Sequence, residues 1–169
     1  ELIAALCIEF THKVIVASEK KGLALPPDSS VAVGDFRSLT AERRSPATFL
    51  VLTLKTPHGE YQNDWHFGFY KDMPLVNANI GITAGSVVPG APRRHEDMHP
   101  CQITLSTDKP AFFVWANVRG VRGEFDDNAF TLLPGRPKTL RFMPKQSMTP
   151  DEFRAMVKDV PKVEAAMGQ

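Results

Sequence analysis

The stretch CQITLSTDKPAFFVWANVRGVRGEFDDNAFTLLPGRPKTLRF, residues 101–142, decides the fold. Ile103 and Leu105 alternate with polar neighbours, and Thr107-Asp108-Lys109-Pro110 makes a tight turn. Phe112, Val114 and Ala116 then alternate with Phe113, Trp115 and Asn117, so both faces of this strand carry aromatics. Gly120 and Gly123 allow a bulge or kink between this strand and the next. Asp126-Asp127-Asn128 is a corner whose short polar side chains can bond nearby backbone. Phe130, Leu132 and Leu133 lead into Pro134-Gly135, a proline at the second and a glycine at the third position of a type II turn. Thr139–Phe142 closes the cascade as a further strand. The run describes an antiparallel scaffold without an evident catalytic set.

Working outward, the N-terminal half has the same rhythm. Residues 4–10 alternate as a strand, Thr11-His12-Lys13 turns, and Val14-Ile15-Val16 returns. Pro26-Pro27-Asp28-Ser29-Ser30 is a turn before a short apolar run, Val31-Ala32-Val33, and residues 37–46 read as a loop. Residues 48–54 are almost continuously apolar, the mark of a central strand covered on both faces. A hairpin loop at 55–60 precedes a strand whose one face holds Tyr61, Asn63, Trp65, Phe67 and Phe69. Short strands at this spacing predict a small β-sandwich over residues 1–75. A second sandwich is predicted over 76–169, with a possible strand at Ile80-Gly81-Ile82 and an exposed Pro/Gly-rich loop at 85–99.

The period changes at the end. Thr149 is a helix N-cap, Pro150 the first helical residue and Glu152 the third, and Phe153, Met156, Val157 and Val160 form one apolar stripe. The expected helix spans 149–159, with Pro161 stopping it and Val163 onward a frayed tail. The fold class is therefore all-β: two small β-sandwiches in tandem with one short C-terminal helix.

Composition excludes several function classes. A net charge of +1 with scattered basic pairs gives no field for nucleic acid or an acidic membrane. No apolar run is long enough to span a bilayer as a helix. Cys7 and Cys101 fall in different predicted domains and read as small buried hydrophobes rather than a staple, so they do not report the redox compartment. His95, His99, Glu96 and Asp97 crowd one irregular segment without a second cluster, so no metal site and no cofactor is expected. There is no Gly-x-Ser-x-Gly elbow and no phosphate-cradling glycine loop. Asp126-Asp127 reads as turn capping. Trp65 and Trp115 could stack on sugar rings if exposed, but aromatic strands ordinarily bury their tryptophans in the core.

Phe112-Phe113-Val114-Trp115, Gly-Val-Arg-Gly-Glu-Phe at 120–125, Asp126-Asp127-Asn128-Ala129-Phe130 and Leu132-Leu133-Pro134-Gly135 resemble the C-terminal immunoglobulin-like domain of β-mannosidases of glycoside hydrolase family 2. Gln62 to Phe69, with Lys71 and Pro74-Leu75, is similar to the last strand and exit of the domain preceding it. The resemblance implies that Asp126, Asp127, Asn128, Phe130, Pro134 and Gly135 are a structural signature. It also implies that the first domain is truncated at its N-terminus, a trimmed leader being the plainer account of that start. The family's catalytic glutamates, an acid/base and a nucleophile, lie in an upstream (β/α)8 barrel of roughly 250 residues. No Asn-Glu dipeptide, the family's acid/base signature, occurs here, so no catalytic residue carries over. The implied partners are the upstream barrel of the same polypeptide and, through the parent enzyme, a carbohydrate with terminal β-mannose. A free-standing carbohydrate-binding or adhesion module is the alternative, as is a parent that is an exo-β-glucosaminidase or endo-β-mannosidase. Localisation is not readable.

Overall fold

The structure is a computed structural model that describes residues 2–9, 14–24, 26–32, 44–84, 100–146, 148–158 and 163–166. Its contacts divide the chain into two units, Glu1–Val76 and Asn77–Gln169.

Among the described residues, the first unit is one antiparallel sheet in the order β2-β1-β3-β4. Its strands are β1 (Leu2–Glu9), β2 (Val14–Lys21), β3 (Thr48–Thr56) and β4 (Gly59–His66). β3 is interior, as its apolar run predicts, with Phe49, Leu50, Val51 and Thr53 buried. Ser45 and Thr48 exchange hydrogen bonds that start β3: Thr48 N–H donates to Ser45 O at 3.1 Å and Ser45 N–H to Thr48 Oγ1 at 3.2 Å. The expected aromatic strand ends early, at His66, and the chain then bends into a 3-10 turn at Tyr70–Asp72. The Pro27-Asp28 turn is present, with Ser29 Oγ donating to Pro26 O at 2.6 Å. Residues 31–32 do not join the sheet after it, and Val31 is exposed. The turn expected at 11–13 and most of the loop expected at 37–46 lie outside the described residues.

The second unit has two antiparallel sheets. One is ordered β5-β6-β10-β8 and the other β11-β7-β9. The strands are β5 (Ile80–Ala84), β6 (Cys101–Thr107), β7 (Ala111–Val118), β8 (Gly123–Phe125), β9 (Phe130–Leu132), β10 (Lys138–Pro144) and β11 (Val163–Ala166). Ile103, Leu105, Val114, Ala116, Leu132, Leu140 and Phe142 fill one core between the sheets. This is the all-β, immunoglobulin-like sandwich predicted for the region. The 85–99 loop, with His95, Glu96, Asp97 and His99, lies outside the described residues.

The helix is α1 (Pro150–Lys158). Thr149 caps it: Glu152 N–H donates to Thr149 Oγ1 at 3.2 Å, and Thr149 N–H returns the bond to Glu152 Oε2 at 2.7 Å. This is a capping box, and it satisfies two amide donors that the helix leaves open. Phe153 is fully buried and stacks on Phe142, centroids 5.6 Å apart and planes 10° from parallel. That contact docks a nine-residue helix too short to persist alone.

One expectation is corrected here. The tail is not frayed, because residues 163–166 form β11 and pair with β7, Val163 opposite Val118 and Ala166 opposite Trp115. A four-residue run with no alternating large side chains carries too little local signal to be seen as a strand. Gly120 takes a positive φ of 76° in the turn between β7 and β8, the kink its position allows. A bulge lies within β7 instead, where Ala111 pairs with Leu132 and Val114 with Phe130, so two intervening residues oppose one. Gly123 is required for another reason. A Cβ there would overlap the Phe142 ring and come within 2.7 Å of Met143 O.

Candidate functional site

The signature residues sit where the chain crosses from one sheet of the second unit to the other. Phe125 pairs with Phe142 at the end of β8. Asp126 prolongs that ladder by one step in both directions: its N–H donates to Arg141 O at 3.0 Å, and its Oδ1 accepts Arg141 N–H at 2.9 Å. Two residues later the same chain belongs to the other sheet. Asn128 Oδ1 accepts Ala116 N–H at 2.8 Å, and Ala129 N–H donates to Val114 O at 2.9 Å. The Asn128 side chain thus replaces a strand carbonyl beside β7, just before β9 begins. Between them, Asp127 pairs with Lys138, whose ammonium lies 4.1 Å from the Phe130 ring centroid. Pro134-Gly135 forms the expected turn: Arg136 N–H donates to Leu133 O at 3.1 Å, and Gly135 has the positive φ of 71° that a type II turn needs at that position. The six residues therefore work as stitching between sheets.

Near this corner is an aromatic surface. Ala111, Val114, Ala116 and Val118 of β7 belong to the core, whereas Phe113 and Trp115 are 41% and 59% exposed. Asn117 follows them, also exposed. Phe113 has φ 52°, a left-handed conformation seldom adopted by a bulky side chain. In the first unit, Tyr61 and Trp65 of β4 are 57% and 66% exposed, and lie opposite Leu54 and Leu50 of β3 in the register. Both tryptophans were expected in the core, and both are at the surface. The physical reason is that alternation defines two faces without saying which is inner. On β4 the inner face is the polar-looking one, where His66 stacks on Phe49 at 5.8 Å and meets Asp64 Oδ2 at 2.7 Å.

The titratable groups describe a scaffold too. Asp108 accepts Asn79 N–H at 2.8 Å and Asn79 Nδ2–H at 2.7 Å, and those two bonds hold its carboxyl below the ordinary value of 3.8. Lys145 beside Glu124, and Thr149 beside Glu152, lower those carboxyls in the same way. Cys101 is buried, and desolvation pushes its thiol up to about 11. Among the described residues, no group of three or more His, Cys, Asp or Glu could hold a metal ion, and no helix is long and apolar enough to cross a membrane.

Comparison with known proteins places this geometry. Residues 94–158 match the family model described as Ig_mannosidase, an Ig-fold domain. Among solved structures, the chain is similar to the crystal structure of beta-D-mannosidase from Dictyoglomus thermophilum, with a TM-score of 0.66 and 18% identity over 98% of this chain. The chain spans only 18% of the length of that protein. A search of curated proteins finds no match. Over residues 94–158 the second unit, with its corner, its type II turn and its docked helix, is thus similar to an Ig-fold domain of the mannosidase type.

Proposed function

We propose that this chain supplies non-catalytic accessory domains to an exo-acting β-mannosidase that removes terminal β-D-mannose with retention of configuration. On this reading, the catalytic pair of carboxylates belongs to a (β/α)8 barrel of the same polypeptide, and that barrel is the partner of both units. The observation that carries the reading is the use made of the signature residues. Asp126, Asp127 and Asn128, the carboxylates and amide that could be mistaken for chemistry, are engaged with Arg141, Lys138 and Ala116. Side chains committed to backbone amides and a lysine are placed for rigidity rather than for proton transfer. The match over residues 94–158 supports the parent class, and the small share of the structural neighbour's length supports an accessory role within something larger.

The test is kinetic. The isolated chain, incubated with an aryl β-mannoside, releases no aryl alcohol above the blank. Turnover that stays with the chain through purification, and disappears when the chain is removed by its tag, overturns the accessory role. A parent with exo-β-glucosaminidase or endo-β-mannosidase activity keeps the architecture and changes only the substrate. Assaying the full-length parent on chitosan oligomers and on internal mannan linkages separates these from the exo-mannosidase.

A further inference from the structure

We propose that the turn between β6 and β7 is an acid-released clasp: Asp108 and Lys109 hold residues 77–79 against the second unit at neutral pH, and protonation of Asp108 frees that segment while both sheets stay paired. The first support is geometry. Asp108 Oδ1 accepts Asn79 N–H at 2.8 Å, Asp108 Oδ2 accepts Asn79 Nδ2–H at 2.7 Å, and Lys109 Nζ donates to Asn77 O at 3.2 Å. Two neighbouring side chains of one turn thus grip both ends of the segment, with Ala78 between them packed against the core. Thr107 sets the shape of the turn, its Oγ1 donating to Lys109 O at 2.6 Å and accepting Lys109 N–H at 3.3 Å.

The second is place. Asn77 is the first residue of the second unit, and Ile80, next after Asn79, begins β5. Ile80 pairs with Thr107 at the end of β6, so the clasp carries the β5–β6 ladder beyond its last step with side chains instead of backbone. Asp108, Lys109, Asn77 and Asn79 are all exposed, whereas Ile103, Leu105 and Ala111 of the adjoining strands are buried. Exposed side chains can let go without disturbing the layers beneath them. A segment held in this way opens at a lower free energy than the core strands do.

The third is charge. Among the residues that make the clasp, Asp108 is the one that titrates in acid. Strands β5 and β7 carry no ionisable side chain, β6 carries Cys101 at its opposite end, and Asn77-Ala78-Asn79 brings only amides and a methyl group. The two bonds from Asn79, and then the Lys109 charge, hold the Asp108 carboxyl below its ordinary value of 3.8. Such a carboxylate contributes fully above that value and is lost as pH falls through its folded one. The clasp weakens on protonation because charge-assisted hydrogen bonds are roughly twice as strong as neutral ones.

The test is hydrogen exchange on the full chain, read residue by residue by NMR and corrected for the intrinsic rate at each pH. Amides of β6 and β10, the interior strands of their sheet, serve as the reference. Between about pH 6 and about pH 3, protection of the Asn79 amide is expected to fall by roughly fivefold or more relative to that reference. Asp108→Asn keeps an oxygen for the Asn79 amide and removes the titration, so the ratio should stay level across the range. Lys109→Met removes the charge that favours the carboxylate, so the midpoint of the fall should move to higher pH. A ratio that does not change with pH in the unsubstituted chain overturns the clasp. So does a fall that persists in Asp108→Asn, or a midpoint that Lys109→Met leaves in place. Loss of protection in β6 and β10 by the same factor would mean that acid opens the whole sheet, and that outcome overturns the clasp as well. The clasp belongs to the second unit alone, so it stands or falls independently of the parent enzyme and its substrate.

Discussion

Ala129 stands at φ 59° immediately after Asn128, in a region where a Cβ is unwelcome. The left-handed conformation costs an L-residue roughly 1–2 kcal/mol, partly offset by the extra chain entropy that glycine would bring. Ala129→Gly is therefore expected to stabilise the second unit by about 0.5–1 kcal/mol, seen as a higher urea midpoint at unchanged slope. Gly123 is the converse case. Its missing Cβ makes room for Phe142, so Gly123→Ala should cost about 1–3 kcal/mol through overpacking against that ring and the Met143 carbonyl. Asn128→Ala leaves the half-buried Ala116 amide without its acceptor and should cost a similar amount, about 1–3 kcal/mol. Accelerated hydrogen exchange at Ala116 would identify the cause, and an unchanged rate would show that the bond contributes nothing there.

At the scale of elements, α1 depends on its cap and its buried anchor, Phe153. Removing the cap by Thr149→Ala should cost about 1 kcal/mol, whereas Phe153→Ala should cost about 3–5 kcal/mol by opening a cavity against Phe142, both read from thermal midpoints. This helix was legible in the sequence because its signals are local: a Thr-Pro-Asp-Glu start and an apolar stripe. The type II turn at Pro134-Gly135 and the interior position of β3 were legible for the same reason. What escaped was set by neighbours distant in the chain. β11 has four residues and no pattern of its own, and exists because β7 offers an edge to pair with. The bulge within β7 carries no glycine to announce it and lies at Phe112-Phe113, where the partner strand β9 and the corner fix the register. The exposure of Trp65 and Trp115 was hidden because each strand carries plausible core residues on both faces. Asp126 and Asn128 were recognisable as a corner, but their division of labour between two sheets needed the topology.

For the whole molecule, pH is the simplest lever. Asp108, Glu124 and Glu152 are all held below their ordinary values in the fold, and all lie in the second unit. A carboxyl with a depressed folded pKa contributes stability that is fully present above its unfolded value and is lost as pH falls through the folded one. The second unit should thus hold its stability at neutral pH and lose it progressively below about pH 4. Asp108→Asn, which removes the charge while leaving one oxygen acceptor, should flatten that acid limb in urea midpoints measured against pH. A limb unchanged in this variant would assign the acid sensitivity to other groups.

Cys101 gives the second unit an internal clock. Thiolate is the reactive form of cysteine, and a thiol buried at the start of β6 with its pKa pushed up to about 11 is shielded both by access and by protonation. Alkylation at pH 8 can then proceed only through molecules in which β6 has come open. In a Cys7→Ser background, the rate at which a maleimide consumes the remaining thiol becomes a direct count of openings of this domain. The same residue that the fold uses as filler would report, without any engineered label, how often the sandwich breathes.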